Sequence, residues 1–211
     1  MNEVNFVIVS TQSKREQKVE CTNAKLCAMC KGYYCCQNCG CSYSPEDFYV
    51  LTHPFSEDER LKYIISFLKR GYASIDHKRL LEPQYGAFSW DSIYSMRYPS
   101  DVKNLRISLS KLLHCDGALY LRVPNIGQGP VDVIHSYVLG PDTGCALWTK
   151  ENGCPLSYRK RPKGGRLLIP REDFDCEEKY TELQAAKDWR PYQKLLYKAY
   201  EYFMNNEEMK K

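Results

Sequence analysis

The stretch "CAMCKGYYCCQNCGC", Cys27 to Cys41, packs six cysteines into fifteen residues. No other feature limits so strongly what this chain can become. Thiols at that density pair as disulfides, ligate metal or carry out redox chemistry. With Gly32 and Gly40 inside it, the block is too irregular for a regular helix or strand.

The compartment decides among these fates. The opening residues, MNEVNFVIVSTQSKREQK, lack a basic lead segment and a small-residue cleavage site, so a cytosolic chain without a secretory signal is expected. In a reducing cytosol, clustered cysteines bind metal or do redox work more often than they form structural disulfides. The odd total of 11 cysteines points the same way.

Spacing then sorts the thiols. A C-x-x-C turn curls the backbone round an ion and delivers two sulfurs to it. Cys27 and Cys30 have that spacing, and Cys36 and Cys39 repeat it, with Cys35 and Cys41 beside the second pair. Further along, Cys145 and Cys154 bracket "CALWTKENGC", whose polar tip at Lys150 to Gly153 reads as a hairpin holding two thiols at its base; Cys176 follows. These nine thiols exceed the four of one tetrahedral site, so two mononuclear sites or one multinuclear cluster is expected. Zinc or iron, including an iron–sulfur cluster, is the expected cofactor. Cys21 and Cys115 read as small buried hydrophobes. Of the four histidines, His135 lies nearest a plausible site and reads as a strand residue.

The fold class expected is α+β: a small, irregular, metal-centred domain with a short antiparallel sheet, helices after the cysteine block and a helical C-terminal segment. At 211 residues the chain can bury a core without staples, and one domain is expected over 1–211. Cys-rich segments at 21–48 and 140–180 and a helical segment at 181–205 subdivide it. "SPED" at Ser44 to Asp47 is a helix start, with a hydroxyl cap, proline in the first turn and acids behind it. A break is expected at His53-Pro54. A second start at Ser56 leads into Leu61, Ile64, Ile65 and Leu68 at helical spacing, ending at Gly71. Asn5 to Ser10 reads as a short strand and Tyr72 to Asp76 as a short strand or turn. "ALYLRVP", Ala118 to Pro124, is the best strand and is expected to form a hairpin with "VDVIHSYVL" across the turn at Gly127, Gly129 and Pro130. Residues 77 to 100 show no period. Pro191 should kink or split the last helix.

"CKGYYCCQNCGCSYSPEDF" and "GCALWTKENGCPLSYRKRPKGGRLLIP" together resemble the YkgJ-type cysteine-cluster proteins, described as zinc- or iron-chelating. The matching positions are Cys27, Cys30, Cys35, Cys36, Cys145, Cys154, Arg161, Pro162 and Cys176. The resemblance covers roughly residues 27 to 48 and 140 to 195, and leaves the middle of the chain unaccounted for. It implies a metal site without a settled reaction. Many members carry a cysteine and an arginine soon after the "RP" step, where this chain has Gly164, Gly165 and Arg166. Either Cys176 takes that ligand's role or the site is one thiol short. A flagellin lysine methylase looks related through the same cluster.

"YRKRPKGGR" brings five basic residues between Arg159 and Arg166. They read as a phosphate- or nucleic-acid-binding loop, or as a structural loop in which Arg161 pairs with a carboxylate or caps carbonyls. In the second case Arg161 and Arg166 also offset the negative charge of a thiolate centre. A net charge of +4, built from 30 basic and 26 acidic residues, does not by itself call for nucleic acid. No stretch approaches a membrane span, and no Walker loop, nucleophile elbow or dinucleotide fingerprint is present. Asp47 could accept hydrogen bonds near the site, although its place in a first helical turn is explanation enough. Three function classes therefore stand: a structural or sensory metal protein acting through a protein partner; an iron or iron–sulfur enzyme of redox or protein-modifying type; and a zinc-scaffolded nucleic-acid binder using Arg159 to Arg166.

Overall fold

The computed structural model describes residues 41–79, 117–131, 144–149, 154–169 and 176–205. Its first elements are set by two capping boxes. Ser44 caps a single 3-10 turn, Pro45–Asp47: its hydroxyl accepts from the Glu46 N–H, and its own N–H donates to the Asp47 carboxylate. A short helix α1 (Tyr49–Thr52) follows and breaks at His53. Ser56 and Glu59 repeat the reciprocal bond at the start of α2 (Glu57–Lys69). Each box satisfies N–H groups that a helix start leaves without intrahelical partners. Gly71, at φ +71°, takes the left-handed turn that ends α2. The face of α2 carrying Ile64, Phe67 and Leu68 is buried, as spacings of three and four require.

Strand β1 (Ser74–Arg79) pairs antiparallel with β2 (Gly117–Arg122), Ser74 opposite Arg122 and Arg79 opposite Gly117. The return strand of the hairpin expected after "ALYLRVP" lies, beyond Val131, outside the described residues, but β2 is occupied by other partners. Both edges of β2 are already taken. β1 holds one edge. On the other, the Tyr43 N–H donates to the Leu121 carbonyl (2.8 Å) and the Val123 N–H to the Cys41 carbonyl (3.0 Å). Further along that edge the Gln193 amide spans the Leu119 N–H and C=O, each at 2.8 Å, as a strand would. Val131, the first residue of the expected return strand, instead bridges Ile75 in parallel on the far side of β1.

Alternation gives the sheet two unlike faces. Ile75, Leu119 and Leu121 share one; Ser74, Asp76, Tyr120 and Arg122 share the other, and all are buried. A buried charge is tolerated only when its hydrogen bonds are met, and here they are. Arg122 Nε donates to Asp76 at 2.6 Å, Nη1 to Asn125 at 3.0 Å and Nη2 to Gln128 at 2.7 Å. Asp76 also accepts from the His77 N–H and the Tyr120 hydroxyl. The pair thereby fixes the Asn125–Gln128 turn that leaves the sheet.

The C-terminal segment splits at Pro191 as expected: α4 (Glu182–Asp188), a 3-10 turn (Arg190–Tyr192), then α5 (Gln193–Asn205). α4 packs on both strands, with Ala185 and Ala186 allowing close approach, while α5 packs on β2 and α2. Trp189 is fully buried and its indole N–H donates to the Tyr43 carbonyl at 2.8 Å. Tyr43, Phe48, Phe67 and Trp189 form the aromatic centre of the core, with ring centroids 5.2 to 5.6 Å apart. A two-stranded ribbon, β3 (Leu168–Ile169) with β4 (Glu177–Glu178), completes the described architecture, an α+β mix. Among the described residues no helix is long and apolar enough to cross a membrane. The expected strand at Asn5 to Ser10, the aperiodic segment beyond Arg79 up to residue 100, and His135 lie outside the described residues.

Candidate metal centre

The exit of the N-terminal cysteine block and the downstream cysteine segments meet at one end of β2. As β2 runs out, Val123 bonds to the backbone of Cys41, and Asn125 forms an antiparallel bridge with Cys145. The Ala146 N–H donates to the Pro124 carbonyl and the Ile126 N–H to the Gly144 carbonyl, which pins the Cys145 turn to Pro124–Ile126, directly after Val123. Cys145 belongs to the buried core, and Cys154 is half-buried at the edge of that core.

Helix α3 (Lys163–Arg166) is the single turn "KGGR". It lies directly on Cys41 and Ser42. The Gly164 N–H donates to the Ser42 carbonyl at 3.0 Å, and a methyl group at Gly164 would meet Ser42 backbone atoms at 3.0 Å. At Gly165 the same group would stand 3.0 Å from the Cys41 sulfur. Two glycines are needed because the turn and the cysteine backbone leave no room for a Cβ between them. Arg161 links this turn to Cys154: its Cβ lies beside Gly165, and its Nε donates to the Leu156 carbonyl at 3.3 Å. The Cys154 thiol makes a long 3.9 Å contact to that same carbonyl.

Asp47 locks the assembly. Nearly all of its carboxylate is out of water; it accepts from the Ser44 N–H, the Lys163 N–H at 2.9 Å and the Arg166 guanidinium at 2.7 Å. Arg166 also donates to the Arg161 carbonyl at 2.6 Å, and the Tyr158 hydroxyl to the Arg166 carbonyl. Lys163 reaches Glu46 at 3.0 Å and lies over the Tyr180 ring. Of the five basic residues in this stretch, Arg161, Lys163 and Arg166 are thus engaged inside the protein, while Arg159 and Lys160 are solvent-exposed.

The electrostatic footprint of the thiols falls on Tyr43. Burial first, then the Asp47 carboxylate, then the Cys41 and Cys145 thiolates, push its hydroxyl well above the ordinary tyrosine range. The hydroxyl donates to the Tyr72 carbonyl at 3.0 Å.

Of the expected ligands, Cys41 and the turn bearing Cys145 lie at this end of the sheet, and Cys154 is tied to the Cys41 region through Leu156 and Arg161. Cys176 is half-buried just before β4; the ribbon register places it at the end remote from α3. Cys27, Cys30, Cys35, Cys36 and Cys39 lie outside the described residues, as do Cys21, Cys115 and the Lys150–Gly153 tip. Among the described residues, no group of three or more His, Cys, Asp or Glu side chains is gathered as a metal site would require. Thiolate as a donor suits zinc or iron.

Comparisons with protein-family models, curated proteins and solved structures find no match for this chain.

Proposed function

We propose that this is a metal-binding protein in which Cys41, Cys145 and Cys154, together with cysteines of the 27–39 block, hold zinc or iron. A single observation carries the reading: the backbone of Cys41 and the backbones of Gly144 and Ala146 on either side of Cys145, far apart in sequence, are bonded to one short run, Val123–Ile126. Thiolates are strong ligands for both metals, and a centre drawing on remote segments couples metal binding to folding. The surrounding contacts suit that role. Gly165 leaves space for the Cys41 sulfur, with the Arg161 Cβ also beside that glycine.

Metal analysis of protein purified reduced and without oxygen is the test. About one or more equivalents of zinc or iron are expected, with visible absorbance if the metal is iron. Cys41→Ser, Cys145→Ser and Cys154→Ser should each lower the metal content. Absence of stoichiometric zinc or iron in reduced wild-type protein overturns the proposal.

A further inference from the structure

α2 and α5 lie side by side and run in the same direction. Glu57 at the start of α2 pairs with Lys194 and Lys198 early in α5, and Lys69 at the end of α2 donates to the Tyr202 hydroxyl. Where the two helices begin, a cleft of about 170 Å³ opens, lined by Glu57, Arg60, Tyr192, Lys194, Leu195 and Lys198. It shares no lining residue with the cysteine region.

Three cations, Arg60, Lys194 and Lys198, line this cleft together with one carboxylate, Glu57. Glu57 lies 3.6 Å from Lys194 and 3.4 Å from Lys198. The hydrogen bond from Lys198, then the charge of Lys194, holds its carboxyl below the ordinary range. Arg60 donates from Nη2 to the His53 carbonyl at 3.1 Å, yet its Nε, shut off from water, has no hydrogen-bond partner among the described residues. An N–H closed off in that way is costly. A carboxylate offers two oxygens, and here one of them, Oε2, lies against both lysines. A phosphate group offers three and a second negative charge, enough to meet both lysines and Arg60 together. Glu57 is 67% exposed and its ion pairs are surface pairs, weak enough to be displaced.

We propose that this cleft binds a phosphate group. Glu57 holds the place when no ligand is present and swings into solvent when one arrives. At about 30 Å³ per water, the cleft has space for roughly five waters, more than a single phosphate needs. The remaining wall, Tyr192 and Leu195, is suited to an organic body carrying the phosphate.

Titration of the full-length, metal-loaded chain with inorganic phosphate and with phenyl phosphate, followed by calorimetry at constant ionic strength, tests this. Saturable binding is expected, weakened about tenfold or more by Arg60→Gln or Lys198→Gln and strengthened by Glu57→Gln. Lys62→Gln, an exposed change on α2 outside the cleft, should leave it unaltered. Tighter binding of phenyl phosphate assigns the site to phosphomonoesters; equal binding assigns it to free phosphate. No saturable binding to wild-type protein, or equal weakening by Lys62→Gln, overturns the proposal.

Discussion

The carboxylate of Asp47 and the guanidinium of Arg166 meet at 2.7 Å across 119 residues of sequence. The pair joins the end of the cysteine block to the turn after the "RP" step. Asp47 is the richer partner, because it also accepts from two backbone N–H groups. Removing it strands three donors, one of them charged, whereas removing Arg166 leaves Asp47 with two. Asp47→Ala should therefore cost about 3–5 kcal/mol, and Arg166→Met distinctly less. Urea denaturation of both variants, compared at constant m-value, measures the difference; equal losses would count against the hierarchy.

Gly165 lies against the Cys41 sulfur, so its replacement probes the sulfur's position more than the fold. Gly165→Ala should cost about 1–3 kcal/mol through overpacking and should lower metal content along with stability. Gly164→Ala pushes instead on Ser42 backbone atoms. It should cost stability with a smaller effect on metal per folded molecule. Metal-to-protein ratio measured on folded, size-selected material separates the two.

If the thiolate centre ties the ends of the chain together, removing its metal destabilises the folded state by mass action. A strong chelator should lower the Tm of wild-type protein. It should leave the Tm of a Cys41→Ser/Cys154→Ser variant unchanged, because that variant has already lost the centre. A chelator that shifts both proteins equally acts elsewhere.

Some of this was legible in the sequence because it rests on local chemistry. Ser44 with Asp47, and Ser56 with Glu59, announce helix starts whose bonding partners are three residues away. Gly71 and Pro191 mark stops for equally local reasons. The sheet was not legible in the same way. Ser74, Asp76 and Arg122 alternate with apolar residues as in a half-exposed strand, and nothing local says that their polar face is buried and neutralised internally. The pairing of β1 with β2 joins strands separated by residues 80–116, so an adjacent hairpin was the natural expectation. At the site, "SPED" signalled a cap but not the reach of Asp47 to Arg166. The "GG" after the "RP" step signalled permissive backbone but not its fit against Cys41.

Gln193 caps a strand edge without being a strand. Its amide serves the Leu119 N–H and C=O and also donates to the Trp189 carbonyl at 3.0 Å. Gln193→Met keeps the volume and loses the bonds, stranding backbone groups at an edge covered by α5. A loss of about 1–3 kcal/mol is expected, with faster hydrogen exchange at the Leu119 amide than at its neighbours in β2. Uniform acceleration along β2 would show that the side chain merely fills space.

Tyr43 makes stability fall in alkali. In the unfolded chain a tyrosine loses its proton near pH 10; in the folded protein, burial, Asp47 and the nearby thiolates hold that proton on to higher pH. The contribution is fully present below pH 10 and is lost as pH rises toward the folded value, since the unfolded state then binds fewer protons. Tyr43→Phe cannot titrate, and it also loses the bond to the Tyr72 carbonyl, worth about 1 kcal/mol. Wild type should therefore be the more stable protein at neutral pH, and the gap should narrow above pH 10 as only wild type pays for ionisation. Urea midpoints for both proteins across neutral to alkaline pH measure this, and curves that stay parallel above pH 10 would show that Tyr43 does not titrate with unfolding.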